Sequence, residues 1–345
     1  MSQLGGMVSI GSAAGTLTGP LVGYLIDSYG ARIVVILTGI MLAISLAILY
    51  ISPDPAILTA SYSMFILAFS YGQPARMSFL ASSIGLKILG KGIGITSAAF
   101  SGSRIAGPAL AGMLTLVASY QNIFLATSLI VLIGTAYFTA ASREPAERKK
   151  ASISLKNAVR SYLTIVKPNR KQRKIFILAA LDRAAWTLWF PILSAHLHTT
   201  GYSESVIGIL ISIIHITQTT LLPTAGKLVD RIGTEINLAV SEALGGLGAL
   251  LLIPAQSIEV ATAAMIMIGL SLGFWIPSYN KIIAEKATSL GETYAAANTV
   301  RNLSGIPAPY IGGYIYTALA PAYTFAASAI ILAALSLYIY RSREE

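Results

Sequence analysis

Stretches of about 20 residues with almost no charge recur along the whole chain, and this recurrence limits the fold more than any motif does. Eleven are legible, near 4–26, 33–51, 58–82, 92–118, 122–142, 175–198, 203–227, 236–254, 258–282, 292–318 and 322–340. Most are rich in Leu, Ile, Ala and Gly, the small residues letting helices approach closely in lipid. A transmembrane barrel would instead show strands of about ten alternating residues. Composition agrees, with 55% hydrophobic and 11% charged residues, whereas a soluble domain carries about 25% charged. The expectation is an all-α integral membrane protein with about 11 transmembrane helices. The chain has no cysteine, so disulfides, thiolate nucleophiles and Cys-ligated metals are excluded.

A formal charge of +10 raises the question of a nucleic-acid partner, and the positions answer it. The loop lysines and arginines are Arg32, Lys87, Lys91, the dense run from Arg143 to Lys174, Lys227, Arg231, Lys281, Lys286, Arg341 and Arg343. The intervening loops, around 52–57, 119–121, 199–202, 255–257 and 319–321, carry none. That alternation is the positive-inside pattern, so the basic loops and the C-terminus are expected in the cytoplasm of a multi-pass plasma-membrane protein. Nucleic acid drops out. The lipid bilayer is the partner this pattern implies, and a monomer is expected.

The one long connection divides the chain into 1–142, with five spans, a basic linker over 143–174, and 175–345, with six. Within the linker Leu155, Val159, Tyr162, Leu163 and Val166 recur at helical spacing. They predict an amphipathic helix on the inner membrane surface.

Two loop signatures repeat. Gly23-Tyr24-Leu25-Ile26-Asp27-Ser28-Tyr29-Gly30-Ala31-Arg32 ends the first span, and Gly226-Lys227-Leu228-Val229-Asp230-Arg231-Ile232-Gly233 ends the seventh. Asp27 and Asp230 are 203 positions apart. The fourth span holds Gly94, Ser103, Gly107, Pro108 and Gly112; the tenth holds Ala308, Pro309, Gly312 and Gly313. Pro108 and Pro309 are 201 apart. Two landmarks at nearly one offset imply duplicated halves, a common transporter plan.

These residues resemble the major facilitator superfamily, whose loop motif runs G-x-x-x-D-R-x-G-R-R. Gly23, Asp27, Gly30 and Arg32 match in the first copy, where Ser28 and Ala31 depart. Gly226, Asp230, Arg231 and Gly233 match in the second, where Thr234 and Glu235 replace the closing basic pair. The resemblance implies a pseudo-twofold helical bundle and a gating role for these loops, the aspartate meeting a positive helix N-terminus of the neighbouring half. The Gly94–Gly112 pattern is similar to the Gly-Pro helix-bend motif of the superfamily's proton-coupled antiporters, chiefly drug exporters. Small residues plus proline also bend and pack a helix with no ligand involved. The superfamily usually has twelve helices, and the repeat leaves 175–198 without a counterpart. A first helix is expected to be missing, either encoded as another apolar segment upstream of Met1 or absent from a reduced variant.

Polar groups inside apolar spans are functional candidates, because a charge at bilayer depth costs several kcal/mol unless paired or hydrated. Outside the loops lie Arg76, Arg104, Arg183 and Arg301, with Asp182 and Glu242 as acids. Arg76 and Glu242 lie close enough to span ends to reach the interface. The resemblance makes spans 58–82, 175–198 and 258–282 cavity-lining. They carry Tyr71 and Gln73; Asp182, Arg183, Trp186 and Trp189; and Trp275, Tyr279 and Asn280. Asp182, Trp186 and Trp189 recur at helical spacing, as do His215 and Gln218 on the next span. The aromatics read equally as core packing. Counting from helix starts near 175 and 292, Asp182 lies about 10 Å and Arg301 about 13 Å along their helices. Arg301 is therefore a candidate partner for Asp182, whereas Arg183 points about 100° away on an ideal helix.

The functional expectation is a secondary transporter working by alternating access, proton-coupled, its partners protons and a small-molecule substrate, drug-exporter-like or an organic anion. The alternative is a transporter-like receptor or a non-transporting remnant. An enzyme is not expected, since no HExxH pair and no Gly-x-Ser-x-Gly turn occurs. Neither metal nor organic cofactor is expected. Replacing Asp27 or Asp230 with Ala should lower flux more than membrane abundance; equal flux in both variants at matched abundance would leave only a turn-capping role.

Overall fold

A computed structural model describes residues 1–51, 53–84, 86–143, 170–286 and 290–342, and among these every regular element is helical. The helices are α1 (Ser2–Leu17), α2 (Gly19–Tyr29), α3 (Ala31–Ile51), α4 (Pro55–Ser83), α5 (Leu86–Leu114), α6 (Tyr120–Ala141), α7 (Arg170–Trp189) and α8 (Leu193–Thr199). They continue with α9 (Glu204–Ile232), α10 (Thr234–Leu251), α11 (Ile258–Lys286), α12 (Leu290–Ser304), α13 (Ala308–Ala318) and α14 (Pro321–Arg341). The amphipathic segment with Leu155, Val159, Tyr162, Leu163 and Val166 lies outside the described residues.

Seven helical segments among the described residues are long and apolar enough to cross a bilayer: Ala31–Ile51, Pro55–Ser83, Tyr120–Ala141, Gln172–Thr199, Glu204–Ile232, Ile258–Glu285 and Pro321–Arg341. The other apolar runs are helical too, over α1 and α2, α5, α10, and α12 and α13. Three runs are broken by proline together with a weak neighbour. Gly19-Pro20 separates α1 from α2, a 3-10 turn over Phe190–Ile192 around Pro191 separates α7 from α8, and Gly305 to Pro307 separates α12 from α13. Proline alone does not break them, for Pro74, Pro108, Pro223 and Pro277 sit inside continuous helices. A proline removes one backbone donor, and the freed groups must then find other partners. At the α1–α2 break the Tyr71 hydroxyl donates to the Thr18 carbonyl at 3.0 Å.

The chain forms two compact units. One contains the described parts of 10–100 and 117–164, the other residues 1–9 and 101–116 with the described parts of 165–345. In the first unit α3 packs on both α4 and α6. Buried serines stitch these contacts, Ser61 Oγ donating to the Ser45 carbonyl at 2.6 Å and Ser128 Oγ to the Ala43 carbonyl at 2.7 Å. Arg32 closes the basic-loop end by donating to the Thr139 carbonyl and to the Ser142 carbonyl and hydroxyl. Here Asp27 Oδ2 is buried without a hydrogen-bond partner.

In the second unit α11 packs between α9 and α10, while α7 packs on α12, α13 and α14. Two crossings in this unit are built alike. The carbonyl of Pro108 abuts Gly208, and the Ala109 N–H donates to Ser212 Oγ at 3.2 Å. The carbonyl of Pro309 abuts Gly5, and the Tyr310 N–H donates to Ser9 Oγ at 3.1 Å. In each, a Gly-x-x-x-Ser helix face meets a proline; Gly5 with Ser9 and Gly208 with Ser212 share the 203-residue offset of the two aspartates. Gly112 likewise abuts the Glu204 carbonyl, Gly313 that of Met1 and Gly312 that of Leu188, while Gly94 and Gly107 would admit a methyl group freely.

The duplicated loops share a backbone conformation. Gly30 has φ 90° and Gly233 φ 97°, both in the region that favours glycine. Gly23 and Gly226 have open space beside them, and Arg231 is exposed. Asp230 pairs with Lys281 of α11 at 2.6 Å, and the Thr234 hydroxyl donates to Glu285 at 3.0 Å, tying α10 and α11 together. The second-copy aspartate thus meets a lysine of its own unit, where the resemblance implied a helix N-terminus. Lys281 stands one turn before Glu285 on α11, opposite the α9 end, and so offers the aspartate a full charge at short range.

A side chain at position 312 would collide with backbone, which cannot move aside as a rotamer can. Gly312→Val should destabilise the protein by roughly 1–3 kcal/mol, as overpacking does. Gly107→Ala should match or exceed the parent protein. Thermal unfolding in detergent checks both.

Candidate functional site

Asp182 lies in the last third of α7 and is buried, with a side chain 1% exposed. Its Oδ2 accepts from Nε and Nη2 of Arg301, each at 3.3 Å. Arg301 belongs to the final turn of α12, where the unsatisfied carbonyls favour a cation. The Arg301 guanidinium also lies 4.3 Å from the centre of the Trp275 ring and 5.9 Å from that of Tyr279. Those two rings, one turn apart on α11, stack at 4.3 Å with 17° between planes. The arginine is thus sandwiched between a carboxylate and an aromatic face, a cation–π contact worth up to about 2 kcal/mol when desolvated. Breaking a buried ion pair by removing one partner costs about 3–5 kcal/mol, because the other charge is stranded. Arg183 turns elsewhere and lies over Gly305, whose missing Cβ leaves room for it.

One further acid belongs here, and the reading of the sequence set it aside. Glu242 of α10 is fully buried, and it stands in the electrostatic field of Asp182 and Arg301. It is not at an interface. Its position gives the signal: eight residues past Thr234 is about 12 Å along a helix, more than two turns inside it. Its own helix offers no basic residue three or four positions away. Such an acid needs a partner from another helix.

The remaining candidates divide. Trp186 and Trp189 lie in the apolar core formed by α7, α9, α11 and α14, their rings 5.4 Å apart. Trp189 is fully buried and its Nε1–H donates to Ser328 Oγ at 2.9 Å; the Trp186 ring edge abuts Gly245. His215 and Gln218 are buried and face each other at 3.4 Å, within electrostatic reach of Arg104. That makes a second polar group, away from the Asp182 cluster. Gln73 on α4 and Asn280 on α11 are exposed. His196, which no motif singled out, is buried where α8 meets the core. Its Nε2 faces the Leu252 carbonyl at 3.1 Å and must donate there, so in the neutral ring Nδ1 accepts from the Tyr316 hydroxyl at 2.9 Å. It anchors a helix end and reads as structural.

Known proteins match this architecture. The sequence profile of the Major Facilitator Superfamily matches residues 1–309 and again 175–345. The chain is 21% identical over 321 residues to the multi-drug resistance efflux pump PmrA of Streptococcus pneumoniae serotype 4, covering 89% of this chain and 78% of that protein. It is 29% identical over 170 residues to multidrug resistance protein 1 of Bacillus subtilis, covering 45% of this chain and 40% of that one. In structure it resembles the crystal structure of the nucleoside transporter NupG with a TM-score of 0.82 at 14% identity, over 99% of this chain and 90% of NupG. With apolar helices throughout, a duplicated glycine turn and a profile match spanning the whole length, the chain belongs to the Major Facilitator Superfamily.

Proposed function

We propose that this protein is a proton-coupled secondary exporter of small lipophilic compounds, working by alternating access. The observation that carries the reading is the buried Asp182–Arg301 ion pair, capped by the Trp275 and Tyr279 rings, with Asp182 and both rings on helical segments of bilayer length. A buried carboxylate held by an arginine has two states, because the arginine favours the ionised form and burial the protonated one. In one it is ionised and paired; in the other it is protonated, with the guanidinium free to move. Protonation therefore changes what Arg301 holds, and so what α7 and α12 hold together. A ligand that binds one arrangement better shifts the equilibrium toward it. Indole and phenol faces supply the flat apolar surface that lipophilic cations prefer, in competition with Arg301 for the same ring. The efflux-pump names of the relatives favour export and a broad substrate class. The positive-inside pattern places the basic loops, Arg341 and Arg343 in the cytoplasm of the plasma membrane.

A second reading has its own support. Arg104 stands within electrostatic reach of His215, and an organic anion is the ligand that a cation in an apolar span would hold.

Proteoliposomes with an imposed pH gradient separate the two. Tetraphenylphosphonium should be moved against its gradient and benzoate should not; the reverse result would establish the anion reading, and no flux of any kind would favour a receptor. Asp182→Asn should abolish uphill movement while leaving exchange of labelled for unlabelled probe. Uphill movement that persists in this variant would remove Asp182 from the coupling step and leave the ion pair as a structural bridge.

A further inference from the structure

Four buried polar atoms around the Asp182–Arg301 pair have no hydrogen-bond partner: both carboxyl oxygens of Glu242, Nε1 of Trp275 and Oη of Tyr279. Native proteins satisfy nearly all such groups, so a gathering of them needs a physical reason. Asp182 explains part of it, since it takes Nε and Nη2 of Arg301 on a single oxygen. Glu242 is left with no donor at all. The Trp275 N–H acts on its carboxyl without the full geometry of a hydrogen bond.

An ionised carboxylate so placed would be a buried charge without a donor, costing several kcal/mol even after relaxation. A protonated carboxyl is neutral and escapes that cost. The surroundings offer no other remedy. Asp182 from α7, Arg301 from α12 and Trp275 from α11 are the groups that act on Glu242. Tyr279 of α11 shares the field of Asp182, Arg301 and Tyr294, and Arg183 acts on Asp182. Helix α14 presents Ala329 and Leu332 to the neighbouring Gly245 and Gly246, and its described charge, Arg341, is in the last turn. On α9, His215 is engaged with Gln218, and Glu204, Lys227, Asp230 and Arg231 lie toward the helix ends.

We propose that Glu242 holds the exchangeable proton in this conformation and passes it to Asp182 as Arg301 shifts from the Asp182 carboxyl to that of Glu242. This rests on the proton-coupled reading above. The O–H bond of Glu242 breaks, an O–H bond forms on Asp182, and the guanidinium stays charged, so the net charge of the cluster is unchanged. The Trp275 N–H and Tyr279 O–H, idle here, become donors to the new Glu242 carboxylate. The proton thus has two seats, and Arg301 marks which one is empty.

Infrared difference spectroscopy of the reconstituted full chain, between neutral and alkaline pH, tests this without relying on transport. The wild type should show the carbonyl stretch of a protonated carboxylic acid, sensitive to deuterium exchange and absent in Glu242→Gln. Isotope-labelled glutamate assigns the band in the unsubstituted protein, so a poorly folding variant does not blunt the test. No such band in the wild type, or an undiminished band in Glu242→Gln, overturns the proposal. In proteoliposomes, Glu242→Gln should lower pH-gradient-driven tetraphenylphosphonium accumulation by roughly tenfold or more. Wild-type accumulation in that variant also overturns it. A wild type that moves no probe under the gradient would count against the transport reading, and the infrared band would still decide the protonation of Glu242.

Discussion

Close approach of backbones at glycine is the constraint on which the rest of this structure depends. Between apolar helices in lipid there is no hydrophobic drive to associate, so packing and hydrogen bonds must do it. The two Gly-x-x-x-Ser faces supply both. Gly208 and Gly5 let proline carbonyls come against the helix, and Ser212 and Ser9 then accept the N–H of the residue after each proline. Tyr310 sits in the first turn of α13, where N–H groups lack intrahelical partners, and Ala109 follows a proline inside α5. The Ser9 oxygen answers a donor that would otherwise be orphaned at membrane depth, and the Ser212 oxygen adds a hydrogen bond across its helix pair. Proline and glycine here are one device in two parts.

That packing is what permits a charged cluster in the same unit. Glycines at 245, 246 and 248 bring α10 close to α11, α14 and the Trp186 ring, so Glu242 is carried into a region with no exposure. Gly305 makes space for Arg183 and leaves Arg301 to Asp182. Asp182 and Glu242 are thereby kept from contact with solvent, and electrostatic interactions are stronger where water is excluded. Arg301 has more claims on it than it can satisfy at once: two carboxyls and two aromatic rings. A group with competing partners of similar strength is a natural two-position element.

Much of the fold was legible in the chain. Apolar length reports spans, because bilayer thickness sets how many residues a helix needs. The recurring Gly-Asp-Gly loops report duplication; Gly30 and Gly233 adopt matching positive φ because only glycine does so without strain. Proline was a poor guide to helix breaks, as Pro108 and Pro277 lie within unbroken helices while Pro191 ends one. The difference lies in whether neighbouring groups take up the freed backbone, which no local pattern states.

The sequence by itself determined which polar residues lie within apolar runs long enough to cross a bilayer, since bilayer thickness sets the length of such a run. It did not determine which of them meet. Asp182, Arg301 and Glu242 all lie in such runs, yet so do residues that face other neighbours, and contact depends on the rotation of each helix and on what packs behind it. Trp186 and Trp189, one and two turns from Asp182 in the chain, were turned by the fold into the apolar core against Phe325, Ser328 and Gly245. Glu242, readable as a residue reaching the interface, was instead enclosed by helix neighbours that bring no donor to it. Position along a run is a one-dimensional property of the chain, whereas partnership is set by azimuth and by long-range packing, and these exist only once the helices are assembled.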